Sequence, residues 1–162
     1  MKMKKIVVIS DTHIPKAALD LPQAVYDEIK SADMIMHAGD FAELAFLEKL
    51  RKLAPTYAVC GNMDMTNLKM ALPQKNVIKV GLFRIGIIHG YGPMAKLKDT
   101  VKKEFSKVDV IVFGHSHAAV NEKVKNVLLF NPGSPTDRIF ATYNSFGILE
   151  VGKEVTGRII RI

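Results

Sequence analysis

The chain has 162 residues, 48% of them hydrophobic and 24% charged, and this length and balance suit one globular domain with its own core. Lys and Arg number 23 against 16 Asp and Glu, a formal net charge of +7, and the single Cys60 excludes an internal disulfide. No apolar run approaches the ~18 residues of a membrane-spanning helix.

Met1-Lys2-Met3-Lys4-Lys5 starts like a leader, but the apolar run Ile6-Val7-Val8-Ile9 lasts only four residues before Ser10-Asp11. That pattern is a strand rather than a targeting segment, and the expectation is a cytoplasmic protein without a membrane partner. Residues 4–10 read as a strand buried on both faces, followed by a loop over 11–21. Residues 22–31 read as a helix with Pro22 in its first turn. A short strand over 34–37 ends at Ala38-Gly39-Asp40. A helix over 42–53 follows, with Leu44, Leu47 and Leu50 on one side. A third strand, 56–60, ends at Gly61-Asn62. Strands alternating with helices imply a largely parallel layer with helices over it.

Beyond residue 75 the pattern changes. Segments 76–80 and 83–89 form a hairpin around Gly81-Leu82. A helix over 94–105 precedes a buried strand over 108–113. Segments 119–123 and 127–131 pair around Lys125-Asn126, and 146–151 with 156–161 make the last hairpin. The expected fold class is α/β: two mixed sheets face to face with helices outside, as one domain over 1–162.

Chemistry-bearing residues collect where strands end. The five segments are Asp11-Thr12-His13, Gly39-Asp40, Gly61-Asn62, His89-Gly90 and Gly114-His115-Ser116-His117. Carboxyl ends of parallel strands line the ligand crevice of an open α/β fold. Two carboxylates, four imidazoles and one carboxamide exceed what one zinc ion takes. They suit two ions ~3.5–4 Å apart sharing a carboxylate. Imidazole with carboxylate fits Mn²⁺, Fe²⁺, Co²⁺, Ni²⁺ or Zn²⁺; Mg²⁺ prefers oxygen ligands. The fifth histidine, His37, sits inside a strand end and reads as structural. Cys60 reads as a small core residue without a partner that would activate it.

With these residues in place, the chain resembles the calcineurin-like metallophosphoesterases, and among them the small archaeal and bacterial phosphodiesterases of the YfcE type. The resemblance rests on Asp11-x-His13, Gly39-Asp40, Gly61-Asn62, His89 and Gly114-His115-x-His117, in order along the whole chain. It implies a four-layer α/β/β/α sandwich. It implies that Asp11, His13 and His117 hold a first metal, that Asn62, His89 and His115 hold a second, and that Asp40 bridges them. Asp40, Asn62 and His89 would then carry catalysis. The implied cofactors are two divalent transition ions, Mn²⁺ foremost, and the implied activity is in-line hydrolysis of a small phosphodiester by a water or hydroxide bridging the metals.

One departure stands out. Larger relatives carry a His after the Gly-Asn pair, where this chain has Met63, which cannot donate a proton. Diesters or substrates with good leaving groups are therefore favoured, with Asp64 orienting Asn62 or the loop. The segment 131–135 is a rigid loop after a strand that either presents backbone N–H groups or Ser134 near the site or is a tight structural turn, and His37, Asn131 and Ser134 are candidate outer contributors. Arg138 would meet a substrate phosphate or a neighbouring subunit, and Ile139-Phe140 would cover the core or a dimer contact.

Two other functions share these features. A relative in the vesicle-sorting retromer complex serves as an interaction scaffold, but its ligand set is incomplete and this one is full. A nuclease would use the +7 charge, yet the lysines are dispersed, and 8 Phe, 4 Tyr and no Trp offer no stacking surface for single strands. Assembly as a homodimer or homotetramer is raised over a monomer by the resemblance alone.

Overall fold

The computed structural model describes residues 2–162. Its strands are β1 (Lys4–Ile9), β2 (Met34–His37), β3 (Thr56–Ala58), β4 (Lys75–Val80), β5 (Phe83–Ile88), β6 (Val110–Val112), β7 (Val120–Val124), β8 (Val127–Asn131), β9 (Ser145–Val151) and β10 (Val155–Arg161). Its helices are α1 (Gln23–Ile29), α2 (Leu44–Leu53), α3 (Thr66–Ala71) and α4 (Leu97–Lys103). The first sheet runs β10-β9-β1-β2-β3 and the second β4-β5-β6-β8-β7. Strands β1, β2 and β3 are mutually parallel, as are β5, β6 and β8, while β9, β10, β4 and β7 join antiparallel.

Strand periodicity explains the layering. Successive side chains point to opposite faces, so β1 feeds two cores. Ile6 and Val8 face the second sheet and pack with Ile85, Ile87, Val110, Val112 and Phe130. Val7 and Ile9 face outward against Val25 and Ile29 of α1, Leu47 and Leu50 of α2 and Leu68 of α3. The second sheet does the same: Ile111 and Leu129 meet Leu97 and Val101 of α4. Three apolar interfaces between four layers give the α/β/β/α sandwich. Among the described residues no helix is long and apolar enough to cross a membrane.

Departures from the expected elements are local. The first helix begins at Gln23, with Pro22 at its N-cap. The second begins at Leu44 because Ala42 is in the left-handed region, with φ 87°. Residues 94–96 form a 3₁₀ turn ahead of α4. Helix α3 was not expected: it has six residues and one buried side chain, Leu68, too little for a periodic signal.

Parallel register brings the strand ends level. Ile9 is opposite His37 and His37 opposite Ala58 in the first sheet; Ile87 is opposite Val112 and Val112 opposite Phe130 in the second. The loops after β1, β2, β3, β5 and β6 leave the sandwich at one end. Backbone bonds couple them: Asp11 N–H donates to Gly39 O, His13 N–H to Asp40 O and Gly114 N–H to His89 O, each at 3.0 Å.

Candidate metal centre

Each chemistry-bearing loop turns sharply as it leaves its strand. Asp11 (φ 53°), His13 (44°), Asp40 (60°), His115 (71°) and His117 (56°) all lie in the left-handed region. That conformation costs an L-residue roughly 1–2 kcal/mol and persists where the surroundings enforce it. The enforcement is visible. Asp64, buried, accepts N–H bonds from Asp40, Ala42 and Gly61 at 3.1, 3.0 and 2.7 Å. Asn131 holds Gly114 O and Ser116 Oγ at 2.9 and 3.1 Å. Ser134 Oγ donates to Asp11 O at 2.8 Å, and Thr136 Oγ1 to Thr12 O at 2.7 Å. Close approach also demands glycine. A Cβ on Gly61 would stand 2.0 Å from Asp40 Oδ1, and one on Gly114 2.0 Å from Ser10 Oγ.

These loops bring the expected side chains together. Asp11, His13 and His117 place donor atoms within 4.8 Å of one another, and so do Asp11, Asp40 and His89. Asn62 Oδ1 lies 3.0 Å from His89 Nε2, which joins the carboxamide to the second group. His115 stands at that group's edge, its ring centroid 5.3 Å from that of His89; the His13 and His117 rings are 5.4 Å apart.

The two carboxylates are used alike. Asp11 Oδ2 accepts from Ser10 Oγ (2.7 Å) and His115 N–H (3.1 Å), while Oδ1 faces His117 Nε2 at 3.3 Å and His89 Nε2 at 3.8 Å. Asp40 Oδ1 accepts from Met63 N–H at 2.8 Å, while Oδ2 lies 3.2 Å from His89 Nε2 and 3.7 Å from His13 Nε2. Each anchors one oxygen and leaves the other among imidazoles. Asp11 Oδ1 and His13 Nε2 are buried with no hydrogen-bond partner. An unmatched buried carboxylate oxygen beside an unmatched ring nitrogen is costly for a folded protein and natural for a metal site.

Protonation agrees. His89 faces acceptors on both sides, with Nδ1 donating to Ala38 O at 2.8 Å. Burial opposes its charge, but Asp40 and Asp11 outweigh burial and push it up to about 9. His117 sits between Asp11 and Asp137, and they likewise overcome burial and raise it to about 9. Burial also opposes the charge of Asp40, yet His89 and the Met63 N–H hold it below the usual carboxylate range. In the metal-free protein, protons thus occupy ring nitrogens that a cation would use.

Asp137 is the residue that sequence reasoning missed. Its Oδ2 lies 2.5 Å from His117 Nδ1, and its carboxylate accepts N–H bonds from Ile139, Phe140 and Ala141. Lying three residues beyond Ser134, it gives no spacing signal of its own. Ser134 is fully buried and spent on backbone, so segment 131–135 is a brace. His37 is structural as expected: Gly39 N–H donates to its Nδ1, so Nε2–H donates to Thr12 Oγ1. Burial keeps it neutral, well below the usual histidine range. Met63 serves through its backbone, its side chain more than half exposed. Ile139 and Phe140 do not cover the core; both are exposed. Cys60 is a buried core residue as expected, packed in the cluster under the first sheet's helices; it also borders a cleft of about 690 Å³ lined by Asn62, Lys69, Lys75, His89 and Tyr91.

The model of the calcineurin-like phosphoesterase superfamily domain matches residues 3–154. A probable metallophosphoesterase of Methanocaldococcus jannaschii is 41% identical over 134 residues, 81% of this chain and 68% of the relative. A phosphodiesterase of the same organism is 27% identical over 141 residues, 80% and 82% of the two chains. Vacuolar protein sorting 29 of Cryptosporidium parvum superposes with a TM-score of 0.78 at 18% identity, over 99% of this chain and 98% of that one, a likeness of fold.

Proposed function

The chain belongs to the calcineurin-like phosphoesterase superfamily and is a phosphoesterase with a divalent-metal site; from that premise we propose that it hydrolyses small phosphodiesters at a centre of two metal ions, Mn²⁺ foremost. One observation carries the reading. Two buried carboxylates each anchor one oxygen and turn the other toward imidazole nitrogens, with Asp11 Oδ1 and His13 Nε2 left without partners.

In this reading Asp11, His13 and His117 hold the first ion, and Asn62, His89 and His115 the second. Asp40 would be the shared carboxylate, with its Oδ2 between His13 of one group and His89 of the other; Asp11 Oδ1 likewise faces His117 and His89 and lies at the same junction. Held by these residues, two divalent ions would acidify a water and offset the charge of the phosphoryl oxygens. The residues supply geometry: Asp137 and the Ala38 carbonyl fix which nitrogen of His117 and His89 faces the cation. The cleft opens beside Asn62 and His89 and would receive one ester arm of the substrate. Met63 supplies no proton, which favours diesters and good leaving groups.

The test is hydrolysis of bis(p-nitrophenyl) phosphate by protein stripped with chelator and then given Mn²⁺, Ni²⁺ or Co²⁺. Restored turnover with about two ions bound per chain is expected. No turnover with any of the three would sink the reading.

A further inference from the structure

A phosphodiester has two arms, and the cleft beside Asn62 and His89 takes one. The other side of the centre, at His117, carries an exposed aromatic. Phe140 is 76% exposed, and its ring meets that of His117 edge-on, with centroids 5.8 Å apart and planes at 80°. Ile139 beside it is exposed as well, so an apolar pair stands at the rim of the centre.

The backbone around Phe140 is fixed. The N–H groups of Ile139, Phe140 and Ala141 bond to the Asp137 carboxylate at 2.8, 3.0 and 2.8 Å. The same carboxylate holds His117 Nδ1. Asn144 Nδ2 donates to Asp137 O at 2.6 Å and ties the segment's far end. One buried carboxylate thus holds a histidine of the centre and the backbone that carries the aromatic ring, which itself rests edge-on against that histidine. An aromatic held in place before binding stacks a flat group at little ordering cost.

We propose that Phe140 is a stacking platform for a flat aromatic substituent, such as a nucleobase, on the substrate arm opposite the cleft. The inference rests on the phosphoesterase centre proposed above and names a class of substrate for it. It differs from a scaffold surface, because the ring abuts His117 instead of standing apart from the centre.

The experiment titrates Mn²⁺-loaded protein with adenosine 5′-monophosphate and with ribose 5-phosphate by calorimetry. These ligands share a phosphate and a sugar and differ by the base. Stacking on one ring predicts a preference for the nucleotide of on the order of tenfold. Phe140→Ala should erase the preference and leave ribose 5-phosphate binding unchanged; Phe140→Trp should keep it. Equal binding of the two ligands by the unaltered protein, or a preference that survives Phe140→Ala, overturns the platform alone. Binding of neither ligand overturns the phosphate site as well. Sedimentation of both variants completes the test: a change of oligomeric state on Phe140→Ala without a change in ligand preference makes the ring a contact between copies, and overturns the proposal.

Discussion

At Asp40 and Asp137 the centre depends on single atoms. Asp40 presents Oδ2 to imidazoles of both groups while Met63 N–H anchors Oδ1. Asp40→Asn keeps the shape and removes the shared charge. Turnover of bis(p-nitrophenyl) phosphate should fall by at least about a hundredfold, with one or both ions lost. Unchanged rate and metal content would refute the shared position. Asp137 acts at one remove, by orienting His117. Asp137→Asn should weaken Mn²⁺ binding about 10–100-fold, the usual cost of losing such a partner. Competition against a fluorescent chelator measures it, and circular dichroism checks that the fold is kept.

At the scale of elements, the site is a set of strand ends joined by backbone. Five chemistry-bearing residues take left-handed φ, and glycines stand where any Cβ would strike a carboxylate or its neighbour. Gly61→Ala puts a carbon 2.0 Å from Asp40 Oδ1. The loop after β3 must move or Asp40 must turn. Metal content should drop sharply while the unfolding temperature of the metal-free protein shifts by only a few degrees. Equal metal content would show that the loop yields freely. The candidate ligands were legible because each lies at or just past the end of a strong strand, and Asp40, Asn62, His89 and His115 sit beside a glycine, in the order Asp11, His13, Asp40, Asn62, His89, His115, His117. Asp137 was not legible. Its role comes from β9 drawing residues 132–144 back over the strand ends, with Ser145 bonded to Pro132 O and Ser134 O, and no local pattern encodes that return. The brace built by Asn131 and Ser134 was legible only as a rigid turn, since its targets, Gly114 and Asp11, are distant in sequence. Helix α3 escaped because one buried leucine makes no period.

For the whole molecule, the centre makes stability depend on pH and metal together. The layers themselves were readable: the nearly unbroken β-branched run of β1 predicts a strand buried on both faces, and three apolar interfaces follow. What composition hides is that the buried titratable groups, Asp11, His37, Asp40, Asp64, His89 and Asp137, gather at the strand ends. In metal-free protein His89 and His117 are raised from the ordinary 6.5 to about 9. A raised histidine stabilises the fold fully below its unfolded value and loses that contribution as pH climbs through the folded value. The unfolding temperature of chelator-treated protein should therefore fall between about pH 6.5 and 9. Asp40 and Asp137 run the other way. Their lowered values give stability that is present above about pH 4 and lost on acidification below it. A cation at the centre needs the ring nitrogens without their protons, so metal binding strengthens over the same alkaline window. Thermal unfolding from pH 6 to 9, with and without Mn²⁺, should show the two curves separating as pH rises. A constant gap would mean that the cation does not displace protons from His89 and His117, and that these rings are not its ligands.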